Sequence, residues 1–468
     1  MNFLKKLIVA DKNFYKRVLT LAIPIALQSL ITIGVNMLDT IMVGRLGETE
    51  LSATSLANQF ISIYHIFCMG IGMGASVLVS RYWGMKETEP EKAALALKKT
   101  VCIMLRICVS LAAVFALLTL FIPDLIMGTY VDASKEGAMD IIRLGTIYFK
   151  YSIITYFFLG LSLVCTIVLR SVGQVKLPLF VSIGAFFVNL GANYSFIFGK
   201  FGMPRMEIAG AAIGTLIARV FEAGIICGYL LFVDKKIAFR VKHLFIKTGD
   251  LIGEYIRISI PVLVSDAILA FGNNSVAMVI GRLGTTFVAA NAITSVTQQM
   301  SSVLIQGVSQ AGSIVTGQTL GQGEKQKAQD QGYGFLGFGI GLGAVSALFI
   351  MAVSGSIIRS YNVSPETSGV AAQLMAAICI IVLFQSTNSI MTKGVLRGGG
   401  DTKILMLADN VFLWVLSIPM GIVAGLVLHL PAFWIYIALK FDQIAKAVWC
   451  VLRLRSGKWI KKITVGKV

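Results

Sequence analysis

The chain has 468 residues, of which 56% are hydrophobic and only 14% are charged, and its mean hydropathy is +0.81. These values exclude an ordinary soluble domain, in which about 25% of the residues are charged. The net charge of +18 follows the membrane topology described below, so we expect no nucleic acid partner.

Apolar runs of about 20 residues, the length that crosses a bilayer core of about 30 Å, recur along the whole chain. They predict an all-α polytopic membrane protein with twelve transmembrane helices, which we call spans 1 to 12. Residues 1–17 alternate basic and apolar side chains and predict an amphipathic cytoplasmic segment. In chain order the predicted spans are 18–43, 52–80, 99–122, 139–168, 177–199, 208–233, 256–281, 289–318, 333–355, 368–396, 404–428 and 431–453.

Lys and Arg residues lie mainly on one side of the predicted spans. With the N-terminus inside, the tails and the even-numbered connections carry about 29 of them and the odd-numbered connections about 6, the asymmetry that marks cytoplasmic loops. We therefore expect a multi-pass protein of the cell (inner) membrane with both termini in the cytoplasm and a basic tail at 454–468. Anionic lipid headgroups are the expected partners of this charge.

The sequence repeats itself once. "VIGRLG" at 279–284 matches "MVGRLG" at 42–47, which defines a first offset that pairs position 42 with position 279. "LRGGGDTK" at 396–403 matches "LRSVGQVK" at 169–176, which defines a second offset that pairs position 169 with position 396. Six spans separate equivalent points, so both copies have the same orientation in the membrane. This parallel repeat, typical of secondary transporters, predicts two six-helix lobes at 18–233 and 256–453, joined by a cytoplasmic linker at 234–255.

The sequence resembles the multidrug and toxic compound extrusion (MATE) family over nearly its whole length. The most specific matches are Pro24, the "DTIMVGRLG" end of span 1 and the two "LR" motifs quoted above. The resemblance implies two six-helix lobes and cation-driven efflux of amphipathic, often cationic, compounds or drugs. We also expect a conformational role for Pro24 and its repeat partner Pro261, and a monomer.

Span 1 carries a polar stripe that ends in an acid: Gln28, Thr32, Asn36 and Asp39 fall on one helix face. A charged residue inside a span normally faces a cavity or a partner. The resemblance implies that Asp39 is a proton or sodium site, with Asn36 beside it and Asn189 and Asn193 of span 5 as further members. A single carboxylate with amide neighbours favours a proton, and sodium stays open.

The second lobe lacks an equivalent acid. The first offset carries the stripe onto Ser265, Leu269, Asn273 and Val276. We therefore expect the cation site in the first lobe only. Asp266 is the alternative site, because relatives that use an acid in the second lobe carry it on span 7.

Three further acids have simpler interpretations. Glu222 is expected to pair with Arg219, three positions earlier on the same helix. Asp442 is expected to pair with Lys440. Asp409 on span 11 stays open between a structural and a functional role.

Glutamines on one face of span 8 match methionines on span 2 through the repeat. Methionine side chains repack easily, so such walls suit substrates that are poorly discriminated. Ordinary packing between helices is the alternative. The predicted substrate cavity comprises Gln28, Thr32, Met69, Met73, Asp266, Asn273, Gln299, Gln306 and Gln310.

No known catalytic or nucleotide-binding motif occurs, so we expect neither an enzyme, nor a cofactor, nor a metal site. The glycine runs lie inside apolar spans and favour close helix packing, and all seven cysteines are expected to be buried apolar residues.

Two alternative functions remain. A lipid-linked precursor flippase of the same superfamily would carry extra spans and a basic cavity, whereas the spans here hold few interior basic residues (Arg106, Arg143, Lys150 and Arg219). An ion channel would need a pore lining repeated around an axis.

Overall fold

The computed structural model describes residues 7, 11–131, 137–361 and 363–461. Within these ranges the regular secondary structure is entirely helical. Nine of the described helices are long and apolar enough to cross a membrane, and one bent pair of helices makes a tenth such span.

The helices of the first half occupy the predicted positions. A short additional helix, Pro123–Tyr130, follows span 3 and begins at a proline, whose fixed φ suits the first helical position. The observed bounds are Lys12–Gly44 for span 1, Glu48–Met85 for span 2, Pro90–Phe121 for span 3, Ala138–Ser152 with Thr155–Ser171 for span 4, Lys176–Phe198 for span 5, and Glu207–Gly228 continued by Tyr229–Val233 for span 6.

The second half follows the same order after a linker that contains the short 3-10 helix Val241–Phe245. Span 8 is helical but rich in Ser, Thr and Gln, and span 12 consists of two short helices, so neither is among the described helices that are long and apolar enough to cross a membrane. The bounds are Gly249–Arg282 for span 7, Thr285–Gly321 for span 8, Lys325–Ser360 for span 9, Pro365–Ser389 with Ile390–Leu396 for span 10, Thr402–Val427 for span 11, and Ala432–Leu439 with Phe441–Arg455 for span 12.

Several helices extend beyond the apolar runs that predict them. Span 3 begins at Pro90 and span 7 at Gly249, well before the predicted starts. Backbone hydrogen bonds of a helix do not require apolar side chains, so a helix can continue beyond the part of the chain that lies in the hydrocarbon core of the bilayer. The predicted amphipathic segment is helical from Lys12, while its residues 1–6 and 8–10 lie outside the described residues, as do residues 462–468 of the predicted tail.

Two spans are interrupted where the sequence predicts continuous helix. In span 4 the two helices meet at 59° across Ile153 and Ile154, a place without proline or glycine. In span 12 the helix stops at Lys440, whose φ of −116° and ψ of 16° are not helical. Pro24 and Pro261, in contrast, lie inside continuous helices.

The described residues group into two compact units, each with its own apolar core. In the first, Phe149 and Ile197 are fully buried, and in the second Phe335 and Trp459 are fully buried. The Trp459 indole donates a hydrogen bond of 2.8 Å to the side chain of Gln329. The N-unit comprises the described residues of 27–79 and 94–255, and the C-unit comprises those of 7–26, 80–93 and 256–461.

Within the C-unit, the end of span 2 crosses the end of span 8 at very short range. A Cβ atom on Gly84 would lie 2.7 Å from the carbonyl carbon of Gln318 and would collide with that carbonyl group. A Cβ atom on Gly321 would lie 3.0 Å from the carbonyl carbon of Arg81 and would collide in the same way. The first offset of the repeat relates Gly84 to Gly321 and Arg81 to Gln318. The crossing is therefore reciprocal, and only glycine permits such a close approach.

Candidate functional site

The N-unit holds a small cavity between spans 1, 5 and 6. Span 1 contributes Asp39 and Thr32 to its wall, as the polar stripe predicts. Spans 5 and 6 contribute most of the remaining polar groups. The complete lining is Ile31, Thr32, Val35, Asp39, Ser182, Ala185, Phe186, Asn189, Thr215, Ala218, Arg219 and Glu222.

The Asp39 carboxyl group is held by an amide from span 5. Asn193 Nδ2 donates to Asp39 Oδ1 at 2.6 Å and also to Asn189 Oδ1 at 3.2 Å. The two asparagines are one helical turn apart, so they lie on the same face of span 5, and both are at most 4% exposed. The structure thus brings together the acid and the two amides that the sequence singles out.

Close packing of spans 5 and 6 fixes the position of Asn193. Its Oδ1 atom lies against Gly214 of span 6, where an added Cβ atom would also come within 2.9 Å of the Asn193 backbone nitrogen. Among the described residues this oxygen accepts no hydrogen bond. Gly214 is therefore what allows the Asn193 amide to reach Asp39.

Arg219 and Glu222 form the predicted pair, with Arg219 Nη1 2.7 Å from Glu222 Oε2. Ser162 approaches the same carboxylate oxygen at 3.5 Å. The interpretation as a simple intrahelical pair misses that both residues line the cavity that contains Asp39. A guanidinium group and two carboxyl groups therefore share this small space.

The remaining members of the stripe separate in the structure. Gln28 is 7% exposed, donates to Ser182 Oγ at 2.7 Å and accepts a hydrogen bond from Arg170. Asn36 is exposed, and no side-chain hydrogen bond is found for it among the described residues. Asn36 consequently lies apart from the contact between Asp39 and Asn193.

The C-unit holds a second, larger cavity between spans 7, 8, 10, 11 and 12. Of the predicted substrate-cavity residues, Asn273 lines it. Amide and charged side chains form most of its wall. The lining is Leu269, Asn273, Gln298, Gln385, Asn388, Ser389, Thr392, Lys393, Asp409, Leu413, Lys440, Asp442, Gln443 and Lys446.

A buried cluster of charges lies at one wall of this cavity. Lys446 Nζ is 3.0 Å from Asp442 Oδ2 and 3.4 Å from Asp409 Oδ1. Ser265 donates to Asp409 at 2.7 Å, and Ser417 donates to Asp442 at 3.2 Å. Both carboxylates are thus hydrogen-bonded as well as paired.

This cluster corrects two expectations. The partner of Asp442 is Lys446, one turn further along span 12, and not Lys440. The count of interior basic residues also misses Lys440 and Lys446. The spacing of Asp442 and Lys446 by four residues does indicate an intrahelical pair, whereas the second partner, Asp409 on span 11, has no signal in the local sequence. Lys446 is only 2% exposed.

Asp266 forms an ion pair outside this lining. Its carboxyl oxygens lie 3.0 and 3.5 Å from the guanidinium nitrogens of Arg397, which is 5% exposed. Arg397 belongs to the "LRGGGDTK" motif, and its repeat partner Arg170 likewise reaches span 1, where it donates to Gln28. The motif arginine of each half therefore binds the first helix of its own repeat.

The other predicted cavity residues lie elsewhere. Gln299 and Gln306 are exposed, Gln310 and Met69 are partly exposed, and Met73 is buried, and none of them lines either cavity. The glutamine of span 8 that does line the C-unit cavity is Gln298, which donates to Gln385 at 3.0 Å and accepts from Tyr436 at 3.1 Å. The prediction chose Gln299 because it shares a helix face with Gln306 and Gln310. The structure shows that its sequence neighbour Gln298 is the residue that faces the other spans.

The two cavities occupy equivalent places in the repeat. The first offset relates Thr32 to Leu269, and the second offset relates Ser182 to Asp409, Thr215 to Asp442 and Arg219 to Lys446. All eight of these side chains line the cavity of their own unit. The hydrogen bond from Gln28 to Ser182 likewise corresponds to the bond from Ser265 to Asp409.

Comparison with known proteins agrees with this architecture. The family model MatE matches residues 24–195 and 261–423. The "Uncharacterized transporter YisQ" of Bacillus subtilis is 24% identical over 97% of this chain and 96% of its own length. The "Probable multidrug resistance protein NorM" of Thermotoga maritima is 25% identical over 97% of this chain and 94% of its own length.

A solved structure gives the same result for the fold. The crystal structure of a mutant of the Vibrio cholerae MATE transporter VcmN has a TM-score of 0.84 to this protein at 17% identity, over 96% of this chain and 98% of that chain. This likeness confirms the predicted all-α fold of twelve spans in two six-helix lobes.

Twelve helical spans built from a parallel repeat, with a polar cavity in each half, are the architecture typical of transporters. The chain belongs to the MATE family, since the family model covers more than half of it. Members of this family are membrane transporters, so the class predicted from the sequence is confirmed.

Proposed function

We propose that this protein exports amphipathic organic compounds across the cell membrane in exchange for protons. The observation that carries the proposal is the contact of 2.6 Å between Asp39 and Asn193 inside a cavity of a MATE chain. The substrate class is supported by relatives named as multidrug resistance proteins, such as NorM of Thermotoga maritima. These names do not favour the flippase alternative.

Asp39 is the group that changes protonation during transport. When ionised, its carboxylate accepts the hydrogen bond from Asn193. When protonated, it loses its charge and becomes a donor, so the contacts that spans 1 and 5 make in this cavity change. A transporter couples two ligands only if they favour different conformations, and this change in contacts gives protonation such a preference.

The cavity chemistry supports a proton rather than sodium. A proton needs only the carboxyl oxygen, whereas a metal cation needs several oxygen ligands arranged around it. Around Asp39 lie the amides of Asn193 and Asn189. The other carboxylate of the cavity lining, Glu222, is already paired with Arg219. Both termini are placed in the cytoplasm in this proposal, on the strength of the Lys and Arg asymmetry.

The test is transport by the purified protein in proteoliposomes with pH and sodium gradients imposed separately. We expect a proton gradient to drive uptake or release of a fluorescent amphipathic cation without sodium. Transport that requires sodium at constant pH, and ignores a proton gradient, would overturn proton coupling. Counterflow of unlabelled substrate separates a carrier from a channel, because a channel does not exchange.

A further inference from the structure

The C-unit cavity carries an excess of positive charge. Three lysines line it, Lys393, Lys440 and Lys446, against two aspartates. Lys446 is engaged by both aspartates at 3.0 and 3.4 Å. Among the described residues, Lys393 and Lys440 have no carboxylate within ion-pair distance. Two ammonium groups in this cavity therefore remain available to a ligand.

The rest of the wall suits a polar anionic group. Five amide side chains line the cavity. The nitrogens of Gln298, Asn388 and Gln443 each donate one hydrogen bond within the wall, and each carries a second N–H for a ligand. The backbone there is irregular. Ile390–Leu396 of span 10 and Val411–Ser417 of span 11 are π-helical, a distortion that is common at functional sites. The five amide residues are Asn273, Gln298, Gln385, Asn388 and Gln443.

We propose that this cavity is a binding subsite for a carboxylate group of an amphipathic substrate, with Lys393 and Lys440 as its cationic partners. The proposal rests on the proposed transport function and names a substrate class for it. The excess of one positive charge matches a monoanion, whereas a phosphate or diphosphate would bring more negative charge than the lysines balance. An ionised carboxylate bound by ammonium groups and amide donors forms charge-assisted hydrogen bonds.

The repeat explains why the two halves differ in this way. In the N-unit cavity the position equivalent to Asp442 is Thr215, and the acids are Glu222, which pairs with Arg219, and Asp39 from span 1. In the C-unit the equivalent of Asp39 is Val276, and the acids come from spans 11 and 12, where they neutralise Lys446. The C-unit cavity therefore has no carboxylate on its first helix that would repel an anionic ligand.

The experiment compares two forms of one probe: a fluorescent rhodamine with a free carboxylate and its methyl ester. Binding to the purified full-length protein is measured by fluorescence polarisation. We expect the double variant Lys393→Met, Lys440→Met to weaken binding of the acid by about tenfold, because charged hydrogen bonds in such a cavity are lost. Binding of the ester should change by less than about twofold, since the ester carries no anionic group.

Two further variants control the comparison. Lys403→Met removes a positive charge from span 11 at an exposed residue outside the cavity lining, and it should leave acid binding unchanged. Lys393→Arg with Lys440→Arg keeps both charges and should preserve the preference for the acid, provided that thermal unfolding shows a folded protein. Equal losses for acid and ester, or the same loss in Lys403→Met, would overturn the subsite.

Transport assays separate this proposal from the one on which it rests. If the ester is driven across proteoliposomes by a proton gradient but the wild-type protein does not prefer the acid over the ester in binding, only the carboxylate subsite fails. If neither compound is transported under any gradient, the exporter itself fails.

Discussion

Arg219 of span 6 and Lys446 of span 12 are repeat partners, and each lies in the cavity of its own unit beside a paired carboxylate. Arg219 is 2.7 Å from Glu222, and Lys446 is 3.0 Å from Asp442. The fold thus keeps a cation at the same place in both halves. The paired acids lie on equivalent spans, but the second acid of each cavity does not: it is Asp39 of span 1 in the N-unit and Asp409 of span 11 in the C-unit. We therefore expect the two cavities to do different work.

The first prediction concerns Asp39. Asp39→Asn keeps the size of the side chain but removes its titration, so we expect normal abundance and loss of efflux driven by a proton gradient. Binding of a cationic substrate should persist and lose its dependence on pH. Drug resistance of cells and proteoliposome transport are the measurements.

Asn36→Ala is the matched control for Asp39→Asn, because Asn36 lies on the same helix and is exposed. We expect it to transport like the wild type. If Asp39→Asn protein confers full resistance at equal expression, Asp39 has only a structural role.

The second prediction disturbs the Asp39 contact without altering either partner. In Gly214→Ala the new methyl group collides with Asn193 Oδ1 and lies 2.9 Å from the Asn193 backbone nitrogen. Overpacking of this kind costs about 1–3 kcal/mol, and Asn193 must move away from Asp39. We expect transport to fall well before the protein loses its fold, with the pH dependence of transport shifted.

Gly224→Ala is the control for this prediction. Gly224 lies on the same span, and a Cβ atom there has nothing within 4 Å. Equal transport by the Gly214→Ala and Gly224→Ala proteins would mean that the position of Asn193 does not govern coupling.

The third prediction concerns Asp266 and Arg397. Asp266→Asn leaves the guanidinium of a residue that is 5% exposed without its counter-charge, which costs about 3–5 kcal/mol when a buried pair loses one member. We therefore expect a lower thermal unfolding midpoint and lower abundance, with transport per folded molecule retained.

The double variant Asp266→Leu, Arg397→Met separates charge from packing in that pair. Replacement of both partners by apolar residues removes the unpaired charge, so stability should return toward the wild type. If the Asp266→Asn protein is as stable as the wild type but no longer couples substrate transport to the proton gradient, Asp266 is a functional acid.

The fourth prediction concerns the crossing of spans 2 and 8. Gly84→Ala places a methyl group against the carbonyl group of Gln318, which is backbone and has to move. We expect spans 2 and 8 to separate locally, so that a cysteine at Ser80, a residue with 0% exposure, reacts faster with a maleimide in a variant without the native cysteines. Gly341→Ala, where a Cβ atom has nothing within 4 Å, should leave the rate unchanged, and equal rates for both would contradict the close crossing.

Hydropathy and the repeat predict most of the fold. The number and order of the spans follow from apolar runs, because a bilayer demands long helices whose backbone groups are satisfied internally. The bend at Ile153 and Ile154 has no local signal, since neither residue breaks a helix. The interruption at Lys440 is equally hidden, because neither Lys440 nor its neighbours Leu439 and Phe441 is a proline or a glycine.

The candidate site is predicted less completely. Periodicity together with the family resemblance selects Asp39, Asn189 and Asn193, which the structure brings together. The role of Lys446 stays hidden, because its partner Asp409 is distant in the sequence and lies on another span. Pairing between distant spans depends on helix rotation, which a polar residue in an apolar run does not reveal.

The reciprocal contact of Gly84 and Gly321 has a consequence for the history of the chain. Gly84 faces the carbonyl group of Gln318, and Gly321 faces the carbonyl group of Arg81. The repeat relates these two contacts to each other, so the interface is isologous, as in a twofold dimer of identical subunits. Fusion of two such subunits frees each side of the interface to change alone. Arg81 and Gln318 already differ, and this freedom is what allows one half to keep an acid on its first helix while the other half replaces it with valine.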